Sequence, residues 1–399
     1  MTTTATHISS FAHRMDPLEV STVREILKVT EMPDVISFAG GLPAPELFPT
    51  TELAQAFYHV IREEGRWALQ YSTTEGYTPL RDYIAVRLQT KGIKASVNNI
   101  LMLSGSQQGL DLTAKVLLNP GDKVMVARPT YLAAIQTFML FETQMITVAS
   151  DDDGMDVEEV AHKLRAHPDI KLIYLVANFD NPSGTTLSLE RRERLVHLAQ
   201  QYGVRILEDD PYGELRYRGE HLPPLKSLDE SGLVLYLSTF SKTIAPGLRL
   251  GWLVAEKEIY QKLVIAKQAS DLHTSTVTQR ATYHYLTTHS TDEHIARLRA
   301  VYGERCSVML ESLARYFPAT VRWTKPEGGM FLWAELAPEV RTEEVLTEAI
   351  KEKIAFVPGA AFFANDKQHN FMRLNFSNQV PSQIEEGIKR LARVIDRHH

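Results

Sequence analysis

A chain of 399 residues that is 44% hydrophobic and 23% charged is long enough for about two to three domains and has the balance of an ordinary globular protein. Its formal net charge of −6 gives no electrostatic footprint for a polyanion, so a nucleic-acid partner is not favoured. The single cysteine, Cys306, excludes an intramolecular disulfide framework; the first residues lack the pattern of a secretory signal and no window reaches the roughly 18 apolar residues that span a bilayer, so a soluble, cytoplasmic protein is expected.

Residues 21–30 read as a helix. The segment 37–49 follows, with three prolines and two glycines, as an ordered connector. From about residue 50 to 290, short apolar runs alternate with helical patterns. Candidate strands are 100–103, 123–127, 145–148, 171–176, 204–207, 233–237 and 250–254, with helices such as 109–118 and 189–202 between them. Runs rich in Val, Ile, Leu and Tyr fit strands covered on both faces, and their alternation with helices predicts an α/β fold with a mainly parallel sheet. The last hundred residues change character. A long helix over 292–316, strands near 321–324 and 329–335, a helix over 342–351, a strand at 372–376 and a final helix from Pro381 predict a smaller α+β unit. The expected division is an N-terminal arm that joins the small domain (1–36), a large α/β domain (37–290) and the small domain proper (291–399).

Several strand ends carry chemistry. The first, at 103, runs into Ser104-Gly105-Ser106-Gln107-Gln108-Gly109, where a glycine turn and a helix N-terminus present N–H groups and the Ser106 hydroxyl to an anion. The turn is neither GxGxxG nor a P-loop, which argues against a nucleotide phosphate; a turn without ligand is the plain alternative. Tyr131 follows the next strand and could stack on an aromatic ring, or be core. Asn181, in Asn181-Pro182-Ser183-Gly184, lies where the carboxyl end of an open α/β sheet binds ligands, so its amide could reach a cofactor oxygen; otherwise the segment is a loop.

Three consecutive acids, Glu208-Asp209-Asp210, end a buried strand just before Tyr212. Such a cluster is costly unless a cation sits beside it, and a protonated pyridine nitrogen would serve. Lys242 stands at another strand end, between Ser241 and Thr243 and seven positions before Arg249, a residue flanked by Gly247 and Gly251. A deprotonated lysine forms imines with aldehydes, and an arginine fork suits phosphate. An aldehyde that carries a phosphate and a pyridine ring is pyridoxal 5′-phosphate (PLP). Lys242 taken alone could equally be a solvated surface lysine. Arg373 alternates with apolar neighbours on a half-buried strand and needs an anion, either a substrate α-carboxylate or a structural ion-pair partner. No HExxH, zinc spacing or GxSxG elbow occurs, and Asp151-Asp152-Asp153-Gly154 reads as a turn, so no metal is expected.

Taken together these residues resemble the class I aminotransferases of PLP fold type I over nearly the full length, in particular the α-aminoadipate and kynurenine aminotransferase subgroup. The landmarks are Ser37-Phe38-Ala39-Gly40-Gly41-Leu42-Pro43, Leu69-Gln70-Tyr71-Ser72, the turn at 104–108, Asn181-Pro182-Ser183-Gly184, Asp209 with Tyr212, Ser241-Lys242, Arg249 and Arg373. Residues 21–25 and 271–274 look most like bacterial α-aminoadipate aminotransferases of lysine metabolism. The resemblance implies a seven-stranded, mainly parallel sheet and a homodimer with shared active sites. It implies ping-pong transfer of an amino group from an L-amino acid (2-aminoadipate, aromatic or branched-chain) to a 2-oxo acid such as 2-oxoglutarate. In that reading Lys242 binds the PLP aldehyde and moves the proton, Asp209 pairs with the ring nitrogen, and Asn181 and Tyr212 bind the ring oxygen. Tyr131 stacks on the ring. Ser106, Gln107, Thr239 and Arg249 hold the phosphate with Tyr71 from the partner subunit; the subgroup usually carries serine where Thr239 stands. Arg373 and the Gly40-Gly41 turn take the α-carboxylate, together with Asn181, and Arg24 meets the distal end of the substrate. A PLP-dependent decarboxylase or lyase shares nearly all these residues, and an aminotransferase-like domain of a GntR-type regulator would need a winged helix ahead of it.

Overall fold

The computed structural model describes residues 11–16 and 34–398. After a two-residue strand β1 (Ile36–Ser37), the large sheet is built from β2 (Ile100–Leu103), β3 (Lys123–Arg128), β4 (Gln144–Asp151), β5 (Gly154–Met155), β6 (Ile170–Leu175), β7 (Arg205–Asp209), β8 (Val234–Thr239) and β9 (Gly251–Val254). Its order is β2-β9-β8-β7-β6-β3-β4-β5. Neighbours from β8 through β4 pair in parallel, whereas β9 is antiparallel to both β2 and β8. Each of the seven apolar runs forms a strand. The expected seven strands carry an eighth, β5, whose two residues turn back at Asp152-Asp153 to pair with Ser150 and Asp151; two residues hold no periodicity to read.

Period-two alternation assigns the two faces of the sheet. Ile100, Met102, Tyr236, Trp252 and Val254 face helices Thr50–Ala68, Thr78–Thr90 and Thr276–Thr288. Leu101, Leu103, Leu235, Leu237 and Leu253 face the other way, into the cluster that includes helix Ser106–Leu117. That helix starts three residues before its apolar periodicity, because Ser106, Gln107 and Gln108 form a polar first turn.

The C-terminal unit has β10 (Arg322–Trp323), β11 (Phe331–Glu335), β12 (Ile354–Ala355), β13 (Val357–Pro358) and β14 (Phe371–Asn375). Four of them form an antiparallel sheet in the order β10-β11-β14-β13, and β12 pairs in parallel with β1. Helix Pro381–Ile395 buries Ile384, Ile388, Leu391 and Ile395, spacings of four, three and four that place them on one helical face. Among the described residues no helix is long and apolar enough to cross a membrane.

Register decides what meets at the functional edge. The carboxyl ends of β6, β7 and β8 lie side by side because the three are parallel. Since β9 is antiparallel, its first residue, Gly251, pairs with both Leu103 and Thr239, the last residues of β2 and β8. The turn after β2, the lysine loop after β8 and the arginine just before β9 therefore share one corner.

Candidate active site

A cavity of about 340 Å³ opens at this edge, lined by eleven of the residues singled out from sequence: Gly41, Ser106, Gln107, Tyr131, Asn181, Asp209, Tyr212, Thr239, Lys242, Arg249 and Arg373. At the corner made by β2, β8 and β9, Arg249 sits in the left-handed region with φ of 49°. Its guanidinium lies against Gly105, where an added Cβ would collide with Nη2; with φ of 86° the position suits glycine on both grounds. Thr239 Oγ1 donates to the Leu250 carbonyl at 2.7 Å and accepts from the Ser241 amide at 3.1 Å. Its one proton is thus engaged. Ser241 also lines the cavity, with Oγ 2.9 Å from Thr239 Oγ1 and 3.5 Å from Arg249 Nη1. The Gln107 side chain donates to Thr137 Oγ1 at 2.9 Å, which leaves its backbone N–H in the first helical turn as its contribution.

Lys242 Nζ donates to the Gly41 carbonyl at 2.7 Å. Burial, followed by the Arg373 and Arg249 charges, pushes its ammonium down to about 8. That is the direction a nucleophilic lysine needs.

The three acids after β7 have separate tasks. Glu208 accepts the Leu225 and Lys226 amides, each at 2.9 Å, and so caps a short helix. Asp210 accepts from Asn178 Nδ2 at 2.9 Å and the Tyr236 hydroxyl at 2.7 Å. Asp209 alone faces the cavity. Its Oδ2 accepts the Tyr174 hydroxyl at 3.1 Å, while Oδ1 is buried with no hydrogen-bond partner. Burial pushes the Asp209 carboxyl up to about 7; the Tyr174 hydrogen bond opposes this, and Asp210 and Asp180 add to it. An unpartnered buried carboxylate oxygen is costly, and a cationic N–H donor placed in the cavity relieves that cost. Tyr174 was invisible as a functional residue in its apolar strand; the only signal is that a buried tyrosine hydroxyl requires an acceptor.

Around this centre Tyr131 immediately precedes helix Leu132–Leu140, and burial pushes its phenol up to about 12. Tyr212 is buried edge-on to Phe331 at 5.8 Å, and its hydroxyl is likewise pushed up by burial. Arg373, on β14, donates from Nη1 to Asn181 Oδ1 at 2.8 Å and from Nη2 to the Ala39 carbonyl at 2.6 Å, and Nε is buried without a partner. Its guanidinium lies over Phe331 at 4.4 Å and Phe362 at 5.0 Å, and burial pushes it down to about 10. No carboxylate among the described residues pairs with it. Phe331, Phe362 and Gln136, which line the same cavity, carried no motif.

Three expected residues stand apart. Gly40 precedes Gly41 but does not line the cavity. Tyr71 is 79% exposed, edge-on to His273 at 6.0 Å, and away from the cavity of its own chain. Arg24 lies outside the described residues, as does the helix read over 21–30. Among the described residues no group of three or more His, Cys, Asp or Glu could hold a metal.

The family profile of class I and II aminotransferases matches residues 33–391. This chain belongs to the PLP-dependent class I aminotransferases. Aromatic-amino-acid aminotransferase 1 of Thermococcus litoralis is 45% identical over 390 residues, 96% of this chain and 94% of that protein. The 2-aminoadipate transaminase of Thermus thermophilus is 42% identical over 382 residues, 95% of this chain and 94% of that one. The solved kynurenine aminotransferase of Pyrococcus horikoshii, in complex with PMP, superposes with a TM-score of 0.93 at 44% identity and covers 97% of both chains. The aminotransferase belongs to the subgroup of these relatives and has fold type I, with pyridoxal 5′-phosphate as its cofactor. The residues present fit that group: an unpartnered buried carboxylate oxygen, a lysine of lowered basicity and an arginine-lined anion corner share one cavity.

Proposed function

We propose that the aminotransferase takes the amino group of an L-amino acid, 2-aminoadipate or an aromatic or branched-chain one, and passes it to a 2-oxo acid such as 2-oxoglutarate, through Lys242 and at one site. The observation that carries this reading is the unpartnered Asp209 Oδ1 in the same cavity as Lys242 and Arg373. When bound, PLP supplies an aldehyde for the amine and a ring that accepts the electron pair released at the substrate Cα. Asp209 holds the ring nitrogen protonated, helped by the Tyr174 hydroxyl. Asn181 and Tyr212 bind the ring oxygen, and Tyr131 covers a face of the ring. Ser106, Gln107, Thr239 and Arg249 hold the phosphate, with Ser241 beside them in the same cavity.

Arg373 takes the α-carboxylate beside Asn181 and the Gly40-Gly41 turn. A carboxylate fixed in this way favours loss of the Cα proton over loss of carbon dioxide, and Lys242 Nζ is the base that takes that proton from Cα and passes it on. We place the site between a large unit, 37–290, and a small unit made of 1–36 and 291–399. Trp67, Leu69 and Tyr71, 59%, 71% and 79% exposed in five consecutive residues, support a homodimer in which Tyr71 completes the partner's phosphate site. Arg24 would meet a distal carboxylate. A panel of amino donors with 2-oxoglutarate tests the proposal: glutamate should form fastest with 2-aminoadipate or an aromatic donor, and no glutamate from any donor would overturn it.

A further inference from the structure

The turn at 104–108 is held from behind by a polar network, anchored on the buried Lys267 side chain, that takes no part in the chemistry above. Asp271, the last residue of helix Lys257–Asp271, accepts from Ser104 Oγ at 2.9 Å and Gln108 Nε2 at 2.7 Å on one carboxylate oxygen. Lys267, whose side chain is fully buried, donates to both Asp271 oxygens at 2.8 and 3.0 Å and to Gln108 Oε1 at 2.7 Å. Gln108 Oε1 in turn accepts the Ser104 backbone N–H at 2.9 Å. Each end of the turn is therefore tied by a side chain that reaches the same ion pair, and between the ties stand Gly105, Ser106 and Gln107.

An ion pair with one buried partner and a well hydrogen-bonded carboxylate gives little net stability compared with apolar packing, but it holds its partners in one geometry. The backbone next to it is strained in the same place. Leu272 has φ of 65°, a conformation that persists only where its surroundings over-determine it; here Asp271, with its four side-chain bonds, is the fixed point. Helix-terminal N–H groups bind an anion well only when they converge on one position, so the rigidity of this turn sets the precision of the anion corner.

We propose that Lys267, Asp271 and Gln108 are positioning residues for the cofactor's phosphate: they lock the Ser104–Gln108 turn so that its N–H groups and the Ser106 hydroxyl converge with Arg249. This rests on the phosphate assignment made under Proposed function. The network touches neither the cavity's lysine nor Asp209, so it should govern how tightly the phosphate is held and not the proton transfer.

The test compares PLP with pyridoxal, which has the same ring and aldehyde without the phosphate. Cofactor-free wild type, Lys267→Met, Gln108→Met and Arg249→Ala are titrated with each ligand by absorbance, and the thermal stability of each cofactor-free protein is measured. Wild type should prefer PLP strongly. Lys267→Met and Gln108→Met should each raise the Kd of PLP roughly 10- to 100-fold, the scale of a lost charge-assisted hydrogen bond, and leave the Kd of pyridoxal within about twofold. Equal weakening of both ligands, or a lower melting temperature with unchanged PLP preference, would overturn the proposal by showing a purely structural role. Gln108→Met keeps the ion pair, so it decides the matter if Lys267→Met does not fold. If Arg249→Ala keeps the wild-type preference for PLP, the phosphate assignment itself is wrong; if it loses the preference while both network variants keep it, the assignment stands and the proposal falls.

Discussion

Replacing Asp209 with Asn tests the electron-sink assignment with opposite signs in the loaded and the cofactor-free protein. The change keeps the shape, and the amide oxygen can still accept the Tyr174 hydroxyl that now lies 3.1 Å from Oδ2. What disappears is the charge at Oδ1, the oxygen with no partner in the chain. In the loaded enzyme one charge-assisted bond to a buried group is lost, about 1.5–3 kcal/mol, which corresponds to a fall of about 10- to 150-fold in the rate of proton removal. In the cofactor-free protein the same substitution stabilises. The folded carboxyl is pushed from 3.8 up to about 7, so between these values the folded state binds more protons than the unfolded state and stability falls as pH rises. Above pH 7 the full penalty is present, at most about 4 kcal/mol at 1.36 kcal/mol per unit. Urea denaturation of cofactor-free protein should show Asp209→Asn to be more stable than wild type at pH 8, with a smaller difference at pH 5. Stopped-flow measurement of the amino-donor half-reaction reads the catalytic arm. A half-reaction rate within twofold of wild type would refute the reasoning, as would a larger loss in Asp210→Asn than in Asp209→Asn.

The lowered Lys242 basicity predicts how PLP is taken up. With a value of about 8 instead of 10.5, roughly a quarter of the amine is neutral at pH 7.5, so the rate of reconstitution should rise with pH and level off just above 8; a rise that continues past pH 10 would contradict this. Tyr71→Phe should raise the Kd of PLP several-fold in the dimer, and dilution to monomer should cost both PLP and activity, read by sedimentation and absorbance. Arg24→Ala should lower kcat/KM for 2-aminoadipate and glutamate about 10- to 100-fold, the value of one charge-assisted contact, and leave leucine and phenylalanine nearly unchanged. An equal loss on all donors would leave Arg24 with no part in substrate choice.

Features that repeat or that concentrate chemistry in consecutive residues were legible in the sequence. The apolar runs of β2, β6 and β8 are buried along nearly their whole length, so their hydrophobicity alone exposed them. Lys242, Asp209 and Arg249 stand at strand ends beside glycine, proline or hydroxyl residues, which marks a turn at a functional edge. What escaped depends on partners far away in the chain. Tyr174 meets Asp209 only because β6 and β7 are neighbours in parallel register, and Lys267 meets Gln108 across 159 positions. Ser241 joins Thr239 at the cavity because the turn after β8 brings their hydroxyl oxygens within 2.9 Å, which neighbouring positions alone do not reveal. Strand β5 and the polar ends of β4 were missed because two residues, or a partly exposed edge, carry too little alternation to read.

Single-turnover mixing of the loaded enzyme with one amino donor, in the absence of any 2-oxo acid, tests transamination through Lys242 most directly. Visible absorbance should bleach as one equivalent of 2-oxo acid forms per active site, with no carbon dioxide released. Addition of 2-oxoglutarate should then restore the colour and yield one equivalent of glutamate, and Lys242→Ala should do neither. Continued product formation without an acceptor, or release of carbon dioxide, would contradict it.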